Sequence, residues 1–370
     1  MKIPPFRLER FFAKYEFTTP HLLCSSDCES LTAGELLDLE SGAADEFRSV
    51  WLGYTESTGD PDLRREISTL YSTIAPEQVL VHSGAQEAIF SFFAAAVGRG
   101  DHMIVHYPGY QSLYEVAAAS GCEITKWIVR EEEGWALDLD FLRRSVKSNT
   151  KAIVVNSPHN PTGYHLSREE FTQIVKVAAE RNILLFFDEV FRLLEYSDDN
   201  RLPCACDVYE NAISLGVMSK AFGLAGLRIG WLATKNRQVL AAAERVKDYT
   251  TICNSAPSEF LAKLALRQRD KLLTRNRAMI MENLDALHTF FRKWTHVFRW
   301  IPPRAGPVAF PKILLPVSPE DFCADVASRC EVLLMPGSIF DPDSLHIRVG
   351  LTRRDLPVAI SRLDGYLNSL

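Results

Sequence analysis

Seven short apolar runs that alternate with helical stretches predict an α/β protein, with a mostly parallel seven-stranded sheet between layers of helices. The runs are 78–82, 103–106, 123–129, 152–156, 183–187, 212–217 and 228–234. Two further features support the class: polar and charged residues follow the carboxyl ends of several runs, and a glycine-punctuated loop carrying Lys220 joins the last two. Ligands of open α/β sheets bind at those carboxyl ends.

At 370 residues, 47% of them hydrophobic, the chain is long enough for about two domains. The expected division is a large domain at 40–258 and a small one formed by 1–39 and 259–370. A net charge of −6 with scattered basic residues argues against a nucleic-acid binder. No apolar run approaches a membrane span, and residues 1–12 carry charges where a signal peptide has its apolar core, so a cytoplasmic location is expected. The eight cysteines contain no C-x-x-C pair and read as reduced thiols, with no metal site.

Residues 1–35 read as a short helix followed by a polar loop, L-C-S-S-D-C-E-S-L within 22–31. The turn-rich stretch 51–63 holds Tyr54 and opens a helix near Pro61. After strand 78–82, Ser83-Gly84-Ala85-Gln86 begins a helix running to about residue 98. Free N–H groups at such a start suit an anion, although the same residues also make an ordinary cap. Strand 103–106 ends in Y-P-G-Y, which carries Tyr110. A helix over 139–147 leads to strand 152–156 and then to Asn156-Ser157-Pro158-His159-Asn160-Pro161-Thr162-Gly163. A helix over 167–181 leads to strand 183–187, which delivers Asp188 and Glu189. Residues 244–249 and one long stretch, 258–294, read as helices; strands resume over 306–315, Arg348 falls within H-I-R-V-G, and 357–370 is the last helix.

Lys220 lies in S-K-A-F-G-L-A-G-L-R-I-G, with a second cation, Arg228, eight residues on. Gly223, Gly226 and Gly230 let backbone approach a neighbour closely. A lysine beside a cation in a partly desolvated pocket loses basicity and becomes a nucleophile toward carbonyls, which points to Schiff-base chemistry.

This segment, with P-H-N-P-T-G, the D-E pair and H-I-R-V-G, resembles the class I/II aminotransferases, fold-type I enzymes of the aspartate aminotransferase superfamily that use pyridoxal 5'-phosphate (PLP). The resembling motifs run from Tyr54 to Arg348. The resemblance implies that Lys220 forms the internal aldimine with PLP and later moves the α-proton. It implies that Gly84, Ala85, Gln86, Ser219 and Arg228 cradle the phosphate, and that Tyr54 reaches the phosphate of a neighbouring subunit in a homodimer. Tyr110 would stack on the ring, Asn160 would donate to its phenolic oxygen, and Asp188 would pair with its protonated nitrogen. Arg348, with Asn160, would take the substrate carboxylate. Two positions depart from the pattern: Phe191 stands where a tyrosine is usual, and Val217 where many members have serine.

The implied activity is amino-group transfer between an α-amino acid and a 2-oxo acid. A second reading is elimination or ring closure on an α-amino acid, as in β-lyases and capreomycidine synthase-like cyclases, to which Phe191 and residues 22–31 point. A third, non-catalytic binding of PLP or an amino acid, is opposed by the lysine itself.

Overall fold

The computed structural model describes residues 2–370. Seven strands make the main sheet: β1 (Val79–His82), β2 (His102–Tyr107), β3 (Glu123–Ile128), β4 (Thr150–Asn156), β5 (Leu184–Asp188), β6 (Ala212–Val217) and β7 (Gly230–Ala233). Their order is β1-β7-β6-β5-β4-β2-β3, and only β7 runs antiparallel to its neighbours. The mostly parallel seven-stranded arrangement is the one expected, with strand ends shifted by one or two residues.

Covering both faces of a parallel sheet requires strands that are apolar on both sides. β4 and β5 show this by alternation: Ile153, Val155, Leu185 and Phe187 pack into one core, while Ala152, Val154, Leu184 and Phe186 pack into the core on the opposite face. The edge strand β3 is instead largely solvent-exposed, with Trp127 its one fully buried side chain.

Helices Ala85–Ala96, Ser112–Ala119, Leu139–Ser145 and Arg168–Glu180 make the connections from β1 through to β5. Their starts are fixed locally. Ser167 and Glu170 form a reciprocal cap, and Asp138 accepts from the N–H groups of Asp140 and Phe141. The helix around 244–249 begins earlier than the sequence suggests, at Arg237, where Asn236 accepts from Val239 N–H.

The stretch 258–294 is two helices, Ala256–Arg267 and Arg269–Lys293. The break at Gln268 is a tertiary effect: Arg267 and Gln268 both donate to the Glu40 carboxylate, which holds the chain at a bend that their helix propensity alone would not produce. Beyond it, Val308–Ala309, Met335–Pro336 and Ile347–Gly350 form a three-stranded sheet, flanked by helices Pro319–Cys330 and Leu356–Leu367. Among the described residues, no helix is long and apolar enough to cross a membrane, and all eight cysteines are free.

Because β1 has the same direction as β6, the carboxyl ends of β1, β2, β4, β5 and β6 converge on one edge of the sheet. That edge carries the functional residues.

Candidate active site

Asp188 ends β5 beside Asn156 of β4, and its backbone carbonyl accepts from Asn156 Nδ2 and Ser157 N. Its carboxylate is buried, and among the described residues it accepts only from Val190 N–H, at 3.1 Å. Burial pushes its pKa up to about 7, against the lowering effects of the Val190 bond and of Lys220. A buried carboxylate so poorly satisfied fits a cationic ligand atom better than an empty site.

β6 delivers Ser219 and Lys220. The Lys220 ε-amine donates to Ser26 Oγ at 2.9 Å. Its pKa is lowered first by burial and then by Arg348 and Arg353, while Asp27 and Asp188 oppose. The reduced basicity expected from the sequence is therefore present, but its main source is desolvation, and the cations that add to it are Arg348 and Arg353 rather than Arg228.

Arg348, 1% exposed, donates through Nε and Nη2 to Cys24 O and through Nη1 to Asn160 Oδ1 at 3.1 Å. It forms no ion pair among the described residues, and burial lowers its pKa to about 10, against the raising effects of Cys24 and Asp27. The Asn160 backbone N–H is tied to Asn156 Oδ1 at 2.7 Å, which fixes the loop after β4.

Arg228 adopts the left-handed conformation, with Nη1 on Ala225 O, and is paired with no acid among the described residues. Its guanidinium lies over Gly84, where a Cβ would come within 2.4 Å of Nη2. On the other side, a Cβ on Gly230 would lie 2.6 Å from Ala85 N. Two glycines thus bring a free cation and a helix start together, an arrangement suited to a phosphate. Gly223 packs on the carbonyls of Cys28 and Glu29, whereas Gly226 faces open space, so the close approach expected there is absent.

These residues line one cavity of about 300 Å³. Ala85, Gln86, Tyr110, Asn160 and Asp188 are on its wall, as are Ser219, Lys220, Arg228 and Arg348. Phe191 and Val217, the two departures, also line it. Gly84 lies behind the wall under Arg228, and Tyr54 lies outside, 83% exposed beside Leu52 and Asn254.

The sequence reading did not identify Ser26, Asp27, Glu9 or Glu16 as lining residues. The last two come from the amino-terminal helix Arg7–Tyr15 and the residue after it, held over the cavity by Phe6 against Tyr110 and by Arg7 on Gln111, Tyr114 and Ser338. The polar segment 22–31 was a visible signal for Ser26 and Asp27, but nothing local shows that it folds onto the lysine. Among the described residues, no group of three or more His, Cys, Asp or Glu side chains could hold a metal.

The family model for aminotransferase class I and II matches residues 23–363. The chain belongs to that family. It is thereby an enzyme of a PLP-dependent aminotransferase family, and the cavity fits the cofactor: an amine of lowered basicity, a buried carboxylate with a single donor and an anion cradle lie together. A PLP-dependent aminotransferase from Streptococcus suis 89-1591 is 31% identical, with a TM-score of 0.94 over 100% of this chain and 99% of that one. The PLP-dependent cyclase OrfR is 28% identical, with a TM-score of 0.91 over 100% of this chain and 98% of that one. Capreomycidine synthase from Streptomyces vinaceus is 28% identical over 99% of this chain and 95% of its own length. Proteins named as an aminotransferase and as a cyclase are thus both similar to this chain over nearly its full length.

Proposed function

We propose that the protein transfers an amino group between an α-amino acid and a 2-oxo acid, with Lys220 as the catalytic base. The observation that carries this reading is that Lys220, Asp188 and Arg348 line one cavity, the amine desolvated and the carboxylate accepting only from Val190 N–H. PLP, when bound, supplies an electron sink for charge developed at the substrate Cα. Arg228, Ser219 and the Gly84-Ala85-Gln86 helix start would hold its phosphate, and Tyr110 would pack against its ring. Asp188 would hold a proton on the ring nitrogen. Asn160 donates to the phenolic oxygen, and its Nδ2 is free for this because Arg348 occupies Oδ1. Arg348 presents a planar pair of donors that matches the substrate carboxylate two to two. Lys220 would take the proton from the substrate Cα as general base and, as the conjugate acid, deliver it to the cofactor carbon that receives the amino group.

The working unit in this proposal is a cytoplasmic homodimer. Trp51, Leu52, Tyr54 and Tyr249 are each more than three-quarters exposed, an apolar surface suited to burial against a second copy, with Tyr54 serving that copy's phosphate site. The two-domain division is retained: 40–258 carries the cofactor, and 1–39 with 259–370 covers it.

A second reading keeps the same residues but ends in ring closure or elimination. The full-length likeness to capreomycidine synthase and OrfR favours it, and Phe191, at 1% exposure on the cavity wall, is a residue that could redirect the outcome. A screen of amino donors with 2-oxoglutarate or pyruvate as acceptor tests the first reading. Formation of the new amino acid supports it; consumption of donor with no acceptor turnover supports the second.

A further inference from the structure

The charges on the cavity wall do not cancel, and those left over have a definite place. Lys220 would be engaged as an amine by the cofactor carbonyl, Arg228 and Arg348 would be matched by the phosphate and the substrate carboxylate, and Asp188 by the ring nitrogen. Asp27 is already paired with Arg353 Nη2 at 2.9 Å. Glu9 and Glu16 remain. Both line the cavity, and among the described residues neither side chain makes an ion pair or a hydrogen bond.

Their placement follows from helix geometry. Leu8, Phe12 and Glu16 recur every four residues and so share one face, the face turned to the cavity, with Glu9 beside them at the mouth. Of the basic residues on this helix, Arg7 is tied to Ser338 O and Tyr114 OH, Lys14 lies over the Tyr15 ring, and Arg10 is exposed and forms no ion pair among the described residues. Glu16 is half-buried, and its pKa is raised by burial first and then by Asp27 and Glu9, against the lowering effects of Arg353 and Lys220, neither of which forms an ion pair with it. Asp188 on the same wall, 3% exposed and accepting only from Val190, marks the cavity as one built around ligands.

We propose that the amino substrate carries a cationic side chain, a guanidinium or an ammonium, received by Glu9 and Glu16 while Arg348 holds its carboxylate. This rests on the cavity's reading as a PLP and amino-acid site. The apolar surfaces of Leu8 and Phe12 then cover the methylene stem, the usual way a long charged side chain is bound.

The test uses the PLP-loaded protein and follows its visible absorbance during titration with L-arginine and L-citrulline, which have nearly the same shape but differ in charge, and with L-lysine and L-norleucine. The cationic member of each pair is expected to bind about five- to tenfold more tightly at low salt, with the gap narrowing as salt is added. Glu9→Gln combined with Glu16→Gln should remove the preference and leave the norleucine titration unchanged. Equal affinities within both pairs, or a double variant that retains the wild-type preference, would overturn the proposal. Norleucine reports separately on the underlying reading: if it perturbs the band and the cationic members bind no better, only the substrate class is wrong, whereas a band that no amino acid perturbs removes both.

Discussion

Lys220 and Ser26, 194 residues apart in sequence, are joined by a 2.9 Å hydrogen bond from the ε-amine to the hydroxyl oxygen. An acceptor on the ammonium favours its charged form, so Ser26 partly offsets the desolvation that lowers the Lys220 pKa. Ser26→Ala is expected to lower that pKa further. The check is the pH dependence of PLP capture by the cofactor-free protein: the profile should move to lower pH in the variant, and an unmoved profile would show that the contact does not tune the amine.

Asp188 gives two expectations of different kinds. In the loaded enzyme, Asp188→Asn should retain cofactor but slow α-proton removal by several orders of magnitude, measured by exchange of the Cα hydrogen, because a charged partner far exceeds a neutral one in a buried site. A loss of less than about tenfold, near 1.4 kcal/mol, would mean the ring nitrogen is not supported there.

In the cofactor-free protein the sign reverses. The folded-state pKa of Asp188 is raised to about 7, so its contribution to stability is complete below the ordinary carboxylate range and is lost as pH rises toward and through 7. Glu189, also raised to about 7 by burial, acts in the same direction. Thermal unfolding between pH 5 and pH 8 should therefore show a falling melting temperature that Asp188→Asn partly flattens. A profile unchanged by the substitution would place the titration elsewhere.

Much of the fold was legible because each strand is a short apolar run bounded by turn residues, as at Ala212–Val217. The lysine, Asp188 and Asn160 were legible because they follow such strands directly. Less visible were contacts made across the chain. Gln268 breaks a helix through Glu40, which no local pattern reveals. Glu9, Glu16 and Ser26 reach the cavity only because the amino-terminal helix folds over Tyr110. Burial first, and then Arg348 and Arg353 rather than Arg228, lower the lysine pKa, since residues eight apart in sequence need not be neighbours in charge.

Tyr54 is exposed in the single chain, so its proposed role requires a second copy. Mixing inactive Tyr54→Ala and Lys220→Ala proteins should restore up to about a quarter of wild-type activity, because half the dimers are mixed and each has one intact site. No recovery despite confirmed subunit exchange, or full activity in Tyr54→Ala alone, would contradict the shared site.

Phe191 lines the cavity where a tyrosine is usual in the family. Phe191→Tyr adds one hydroxyl donor, and the pH at which the visible cofactor band titrates is expected to fall. If transamination also speeds up, the wild type is a transaminase lacking one tuning group. If the products change instead, the ring-closing reading gains. A band titration that does not move would show that the added hydroxyl does not reach the cofactor.

The central claim is amino-group transfer through Lys220, and a single half-reaction tests it most directly. PLP-loaded protein is mixed with excess amino donor and no acceptor, and the 2-oxo acid, ammonia and the visible band are measured together. The account predicts loss of the band with about one equivalent of 2-oxo acid per subunit, no free ammonia, and no band at all in Lys220→Ala. Continuous release of ammonia or of a cyclised product with the band retained would contradict it.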